Sequence, residues 1–128
     1  MAGAGVQGGA LMVLITAGSR EEAVRLAEML VGARLAACVQ ILPEIESVYR
    51  WQGEVERAAE TLLFAKTNAA CFSDLEREVR ALHSYETPEI IALPLAEASA
   101  PYLAWLNENI ALVHGASQQG SASSDDTR

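Results

Sequence analysis

Two segments of the chain carry side chains that suit a metal ion. Cys38 lies in an apolar run, where a cysteine is most often a small buried hydrophobe, although its thiolate is also a soft ligand for Cu(I). The segment 83–89 (HSYETPE) places His83 close to Glu89, and imidazole and carboxylate groups suit a divalent ion. The alternative for this segment is a solvated turn after a helix, where the helix dipole favours a histidine. The residues alone leave both interpretations open.

A third polar segment, 47–51 (SVYRW), is typical of a β-strand because it is β-branched and aromatic. Alternation along a strand places Tyr49 and Trp51 on one side and Arg50 on the other. These residues suit a half-exposed sheet face or a subunit contact, where aromatic residues and arginine are favoured. They equally suit the wall of a small-ligand cleft.

The motifs of the common nucleotide, zinc and hydrolase sites are missing from the sequence. It contains no GxGxxG or P-loop, no HExxH and no paired Cys/His zinc spacing. Its serines and histidines form no nucleophile–base–acid pattern, so we do not expect an enzyme. The two cysteines, Cys38 and Cys71, make no disulfide framework, and the first residues lack the basic side chains of a secretory signal. We therefore expect a cytoplasmic protein with reduced thiols.

The composition is that of one globular domain. The chain has 128 residues, of which 51% are hydrophobic and 20% are charged. Its net charge of −8 disfavours nucleic acid and anionic lipid as partners, and the apolar run 10–15 is too short to span a membrane. The large apolar share fits either an obligate oligomer or an alanine-rich monomer.

Apolar and β-branched runs predict the strands, which we place at 10–17, 35–42, 47–51, 60–67 and 89–93. We expect Pro43 to end the second strand, which then pairs with 47–51 as a hairpin. Gln52 and Gly53 turn the chain, and 54–57 extends this ribbon.

Capping residues and apolar periodicity predict three helices. Ser19 and Glu22 form a capping-box pattern before a helix that ends near Gly32. An apolar stripe predicts a second helix over 72–82, and Ser99 with Pro101 starts a third.

The element order β-α-β-β-α-β with an extra C-terminal helix predicts an α/β (α+β) fold. Helices that cover one face of an antiparallel sheet make a ferredoxin-like sandwich. We expect a domain over residues 10–113, a flexible start over 1–9 and a disordered polar tail over 114–128.

Several of these segments together resemble the CutA family, which is known for divalent-cation tolerance. The matching strings are RLAACVQI at 34–41, SVYRW with Gly53 at 47–53, the strand from Glu60 to Lys66-Thr67, and HSYETPEIIALP at 83–94. The pattern continues at Tyr102, Trp105 and Leu106, so that the match covers about 11–110. The resemblance implies a ferredoxin-like subunit, a tight homotrimer in which long strands pair between subunits, a likeness to the PII signalling proteins, and metal binding.

The resemblance also implies which residues form a site. It makes Cys38, His83 and Glu89 the metal ligands, with copper or another divalent metal ion as the cofactor. It places Gln40, Trp51, Lys66 and Tyr85 in a ligand cleft. Gln40 stands where many family members have Asn, which changes its reach by one methylene. Ser84 stands where many have Pro, which predicts a looser loop beside His83.

We therefore expect a trimeric divalent-cation tolerance protein that binds copper. The alternative is a PII-like signalling or scaffold trimer, which binds a small ligand or a protein partner at clefts between subunits. In that case Lys66 and Arg50 are the cationic contacts for a small anion. Neither interpretation involves nucleic acid or a membrane.

Overall fold

The computed structural model of the protein describes residues 9–111, and the predicted polar tail lies outside this range, as does nearly all of the predicted flexible start. The strands are β1 (Ala10–Ala17), β2 (Cys38–Trp51), β3 (Glu54–Asn68) and β4 (Ile90–Pro94). The helices are α1 (Arg20–Gly32), α2 (Phe72–Leu82) and α3 (Ala100–Glu108), and a 3-10 turn (Ala69–Cys71) precedes α2.

The four strands form one antiparallel sheet in the order β2-β3-β1-β4. Alternate residues of β1 and β3 point to one face, where they pack against α1 and α2. The side chains of this core are Val13, Ile15, Ala17, Leu63 and Ala65 from the sheet and Ala23, Leu26, Ala27, Leu30, Leu75 and Val79 from the helices. The predicted ferredoxin-like α+β sandwich with its antiparallel sheet is confirmed.

The predicted end of the second strand at Pro43 is wrong. Strand β2 starts at Cys38, later than predicted, and continues through Pro43 to Trp51. Its pairing with β3 shifts register between Leu42 and Ile45, and Glu44 has a positive φ of 55° there. A proline is tolerated at this bulge because β2 is an edge strand and the bulge needs no backbone N–H from it.

The hairpin therefore joins β2 to β3 rather than 35–42 to 47–51. Gln52 and Gly53 form its turn, with φ angles of 51° and 83°. Positive φ at both central residues is the geometry of a tight turn that matches the twist of the strands. Residues 45–60, which we call the arm, lie beyond the end of β1, whose last pair is Ala17 with Thr61.

Helix α3 packs at the end of the sheet where β2 begins. Leu106 and Ile110 are buried against Ala37 and Cys71. The Arg34 guanidinium donates to the carbonyl of Glu108 at 2.9 Å, where it also meets the negative end of the helix dipole. Within residues 9–111, no helix combines the length and hydrophobicity needed to cross a membrane.

Candidate functional site

Cys38 lies on the sheet face that α1 and α2 leave uncovered. It is directly opposite Lys66 in the register of β2 and β3, so the two side chains share this face. The Lys66 ammonium donates to Gln40 Oε1 at 2.7 Å, which is a contact that the long side chain of Gln40 allows. Tyr102 of α3 lies beside Cys38, and burial together with this neighbour raises the pKa of the Tyr102 hydroxyl. Cys38, Gln40 and Lys66 thus form one polar group, which Tyr102 joins.

His83 is buried at the other end of the sheet, with both ring nitrogens occupied. Its Nε2 lies 2.7 Å from the carbonyl oxygen of Thr16, and its Nδ1 lies 3.0 Å from the backbone N of Tyr85. Because Thr16 O can only accept and the Tyr85 N–H can only donate, these two hydrogen bonds select the tautomer with its proton on Nε2, and Nδ1 also lies 3.5 Å from Glu22 Oε2. A metal ion could bind His83 only after one of these hydrogen bonds is broken.

Glu22 is the polar residue of this region that sequence analysis did not select. Its carboxylate accepts from Ser84 N at 2.7 Å, from the Ser84 hydroxyl at 3.0 Å and from Gly18 N at 3.3 Å. Burial acts to raise the pKa of Glu22, but the hydrogen bonds from Ser84 and Gly18 outweigh it, so the pKa lies below the ordinary value of 4.5. Ser84 therefore holds the loop beside His83 in place, whereas we predicted a looser loop because serine replaces the proline of many family members.

Tyr85 lies between α1 and the base of the arm. Its hydroxyl donates to Glu60 Oε2 at 2.8 Å, and Ser47 donates to Glu60 Oε1 at 2.7 Å. Burial, together with the hydrogen bond to Glu60 and nearby negative charge, raises the pKa of Tyr85 to about 12. The ring passes so close to Gly18 that a Cβ there would lie 3.1 Å from the Tyr85 oxygen.

The remaining two predicted residues, Trp51 and Glu89, are both exposed. Trp51 ends β2 opposite Glu54, about 40 Å from Cys38 along an extended strand. Glu89 lies just before β4, whose first pair joins Ile90 to Ile15.

The predicted site residues thus lie towards different ends of the sheet. Cys38 is level with Met12 across the sheet, whereas His83 contacts Thr16, about 13 Å further along β1. Within residues 9–111, no three His, Cys, Asp or Glu side chains converge as metal ligands would. Within one chain, Cys38 and His83 therefore do not form one site.

Comparison with known proteins gives one consistent result. The family model described as CutA1 divalent ion tolerance protein matches residues 11–109. The divalent-cation tolerance protein CutA of Thermus thermophilus is 53% identical over 98 residues, which are 77% of this chain and 95% of that protein. The chloroplastic protein CutA of Arabidopsis thaliana is 43% identical over 99 residues, which are 77% of this chain but only 54% of that longer protein.

Solved structures give the same result for the fold. The divalent cation tolerance protein (Cut A1) from Thermus thermophilus superposes with a TM-score of 0.79 at 51% identity, over 80% of this chain and 99% of that one. The crystal structure of CutA1 from Oryza sativa superposes with a TM-score of 0.78 at 41% identity, over 80% and 94%.

Proposed function

The chain belongs to the CutA1 divalent ion tolerance family, and from this premise we propose that it works as a homotrimer that binds copper. The observation that supports self-assembly most directly is the uncovered face of the sheet. Ile91 and Leu93 of β4 are 51% and 44% exposed there, and Leu42 of β2 is also exposed. These side chains lie on the two edge strands of one sheet face, exposed apolar groups of this kind mark interaction surfaces, and a second copy of the chain is the partner that family membership favours.

Assembly also bears on the metal site. Cys38 is a soft ligand and Glu89 a hard one, and one subunit holds them at opposite ends of the sheet. We propose that the site is shared between subunits, with Cys38 of one chain facing the segment 83–89 of the next. His83 takes part only if it gives up a hydrogen bond to Thr16 or Tyr85.

The test is native mass together with metal content, on protein purified without an affinity tag. We expect a trimer that carries stoichiometric copper. Leu93→Asp should dissociate the trimer. Leu82→Asp is the matched control, since Leu82 is equally exposed (43%) but lies on α2, away from the uncovered sheet face, and it should leave the trimer intact. Cys38→Ala should lose the copper and Cys71→Ala, at a buried thiol elsewhere, should keep it. A monomeric wild type, or copper retained when both Cys38 and His83 are replaced by Ala, would refute this proposal.

A small anion is the second candidate ligand, and the position of Lys66 favours it. The ammonium faces Cys38 across the β2–β3 pair and is held there by Gln40. A positive charge beside the thiol opposes a bound cation and attracts a carboxylate or phosphate. Calorimetry with acetate, inorganic phosphate and Cu(II) separates the two candidates. Lys66→Gln should abolish anion binding, whereas it should leave copper binding intact or make it tighter.

We also propose that the protein is a non-enzymatic protein of the cytosol. The free thiols of Cys38 and Cys71 fit a reducing compartment. Cell fractionation tests the location, and catalytic turnover that disappears in His83→Ala would show that the protein is an enzyme after all.

A further inference from the structure

Glu22 is a buried carboxylate that neither the apolar core nor the proposed ligand sites explain. It is 4% exposed, and a buried charge is costly unless it is well hydrogen-bonded. Two of its three donors come from Ser84, which is 62 residues away in the sequence, and the third is Gly18 N. We call Gly18, Glu22 and Ser84 the latch, because they join the start of α1 to the loop after α2.

The loop that the latch holds has no regular structure of its own between α2 and β4. Its position depends on hydrogen bonds such as those of Ser84 to Glu22 and of Tyr85 N to His83 Nδ1. The Tyr85 side chain extends from this loop past Gly18 to Glu60, at the base of the arm. A shift of Ser84 by one or two ångströms is enough to break a hydrogen bond at the Tyr85 hydroxyl.

We propose that Glu22 is a positioning residue, which fixes the loop through Ser84 and thereby holds the Tyr85 hydroxyl on Glu60. The family resemblance places Tyr85 in the ligand cleft, so the consequence for binding rests on the proposed function. The effect of Glu22 on the position of Tyr85 is independent of the proposed function. Because glutamine has an NH₂ group in place of one acceptor oxygen, Glu22→Gln weakens the latch while almost keeping the shape of the side chain.

The test is nuclear magnetic resonance of the full-length protein with two readouts that do not require a ligand. The first is hydrogen exchange of the Tyr85 amide, which donates to His83 and not to Glu22. The second is the Overhauser contact between the Gly18 Hα protons and the Tyr85 ring. In Glu22→Gln, we expect at least tenfold faster exchange at Tyr85 and loss of the contact. The Overhauser contacts of the Leu63 side chain, in the core, should not change, because the variant loses stability but keeps its folded core.

Three further variants separate the latch from general effects. Ser84→Pro removes both Ser84 donors but keeps the carboxylate, and the extended backbone of His83 (ψ 144°) is compatible with a following proline, so this variant should behave like Glu22→Gln. Ser84→Thr keeps both donors and should behave like the wild type. So should Glu86→Gln, which neutralises an exposed carboxylate of the same loop. The inference is overturned if Tyr85 is unaffected in Glu22→Gln, or if the Overhauser contacts of Leu63 in the core are lost as well.

Titration with Cu(II) and with inorganic phosphate then tests the consequence for binding. If the wild type binds either probe, Glu22→Gln should weaken it as much as Tyr85→Phe does, and the double variant should be no weaker than either single one. If Glu22→Gln loses the contact between Gly18 and the Tyr85 ring but binds the probe as tightly as the wild type, Tyr85 does not contribute to the ligand cleft through Glu22. If the wild type binds neither probe, the proposed ligands are wrong, and the resonance readouts still decide the latch.

Discussion

The charge of Glu22 should make the free energy of unfolding depend on pH in the acid range, and Glu22→Gln should remove this dependence. The pKa of Glu22 is lower in the folded protein than its ordinary value of 4.5, chiefly because the hydrogen bonds from Ser84 outweigh burial. A carboxyl group whose pKa is lowered by folding stabilises the folded state above its unfolded pKa. This stabilisation is lost as the pH falls from about 4.5 through the lower, folded pKa. Glu22→Gln removes the same charge at every pH.

The size of the effect follows from the three donors. A hydrogen bond to a charged group contributes about 1.5–3 kcal/mol, and the 3.3 Å contact from Gly18 is the weakest of the three. The amide oxygen of glutamine still accepts one of them, so we expect a loss of about 2–3 kcal/mol at neutral pH. The carboxylate side chain is only 6% exposed, and solvent screening therefore reduces this value little. For a domain of this size, the melting temperature falls by roughly 10–20 °C.

Scanning calorimetry at one protein concentration, between pH 7 and pH 2.5, measures this difference. The melting temperatures of wild type and Glu22→Gln should differ at pH 7 and converge in acid, where the wild-type carboxyl group is also neutral. Other carboxyl groups titrate in both proteins and cancel in the difference. Glu86→Gln should follow the wild type throughout. A difference that is absent at pH 7, or that persists in full at pH 2.5, would refute the reasoning.

Four further substitutions test other parts of the structure. Gly18→Ala places a Cβ 3.1 Å from the Tyr85 oxygen and should displace the hydroxyl from Glu60, so that the pKa of Tyr85 falls from about 12 toward 10. Ultraviolet titration, with Tyr85→Phe to identify the signal, measures this pKa. An unchanged titration curve would contradict the contact. Gly53→Ala should destabilise the folded protein by about 1–2 kcal/mol, because Gly53 has a positive φ of 83°. Gly32→Ala should stabilise it by about 0.5–1 kcal/mol, because Gly32 lies in α1 and a Cβ there meets no other atom. Melting curves that rank these two the other way refute this explanation. Arg34→Ala removes the bond to Glu108 and should speed exchange in α3 more than in β1, and equal exchange would refute a local role.

Periodicity and capping residues predicted the elements well because these signals are local. Ser19 accepts from the N–H of Glu22, and Ser99 accepts from the N–H of Tyr102, as expected at helix starts. Pro43 misled the prediction because its effect depends on where the strand lies in the sheet. In a central strand it would break a ladder of hydrogen bonds, but β2 is an edge strand with a bulge at this point.

Glu22 shows why the candidate site was harder to predict. Its spacing from Ser19 is that of a capping box, in which the carboxylate bonds to the serine N–H. In the structure, the carboxylate turns to Gly18 and Ser84 instead. The S-x-x-E pattern is compatible with both arrangements, and only the packing of the loop after α2 against the start of α1 decides between them. The same holds for Glu60, whose partners come from β2 and from that loop.

The separation of Cys38 from His83 has a similar origin and a wider consequence. Sequence spacing cannot show that Cys38 is level with Met12 while His83 is level with Thr16, because both positions follow from strand register. Residues that bind one ligand must lie within a few ångströms of it, so a subunit that keeps its candidates about 13 Å apart cannot bind through both at once. Either the two polar groups act separately, with Lys66 directing an anion to one of them, or neighbouring subunits complete each other's sites. In the second case, the ligand specificity depends on assembly as well as on sequence.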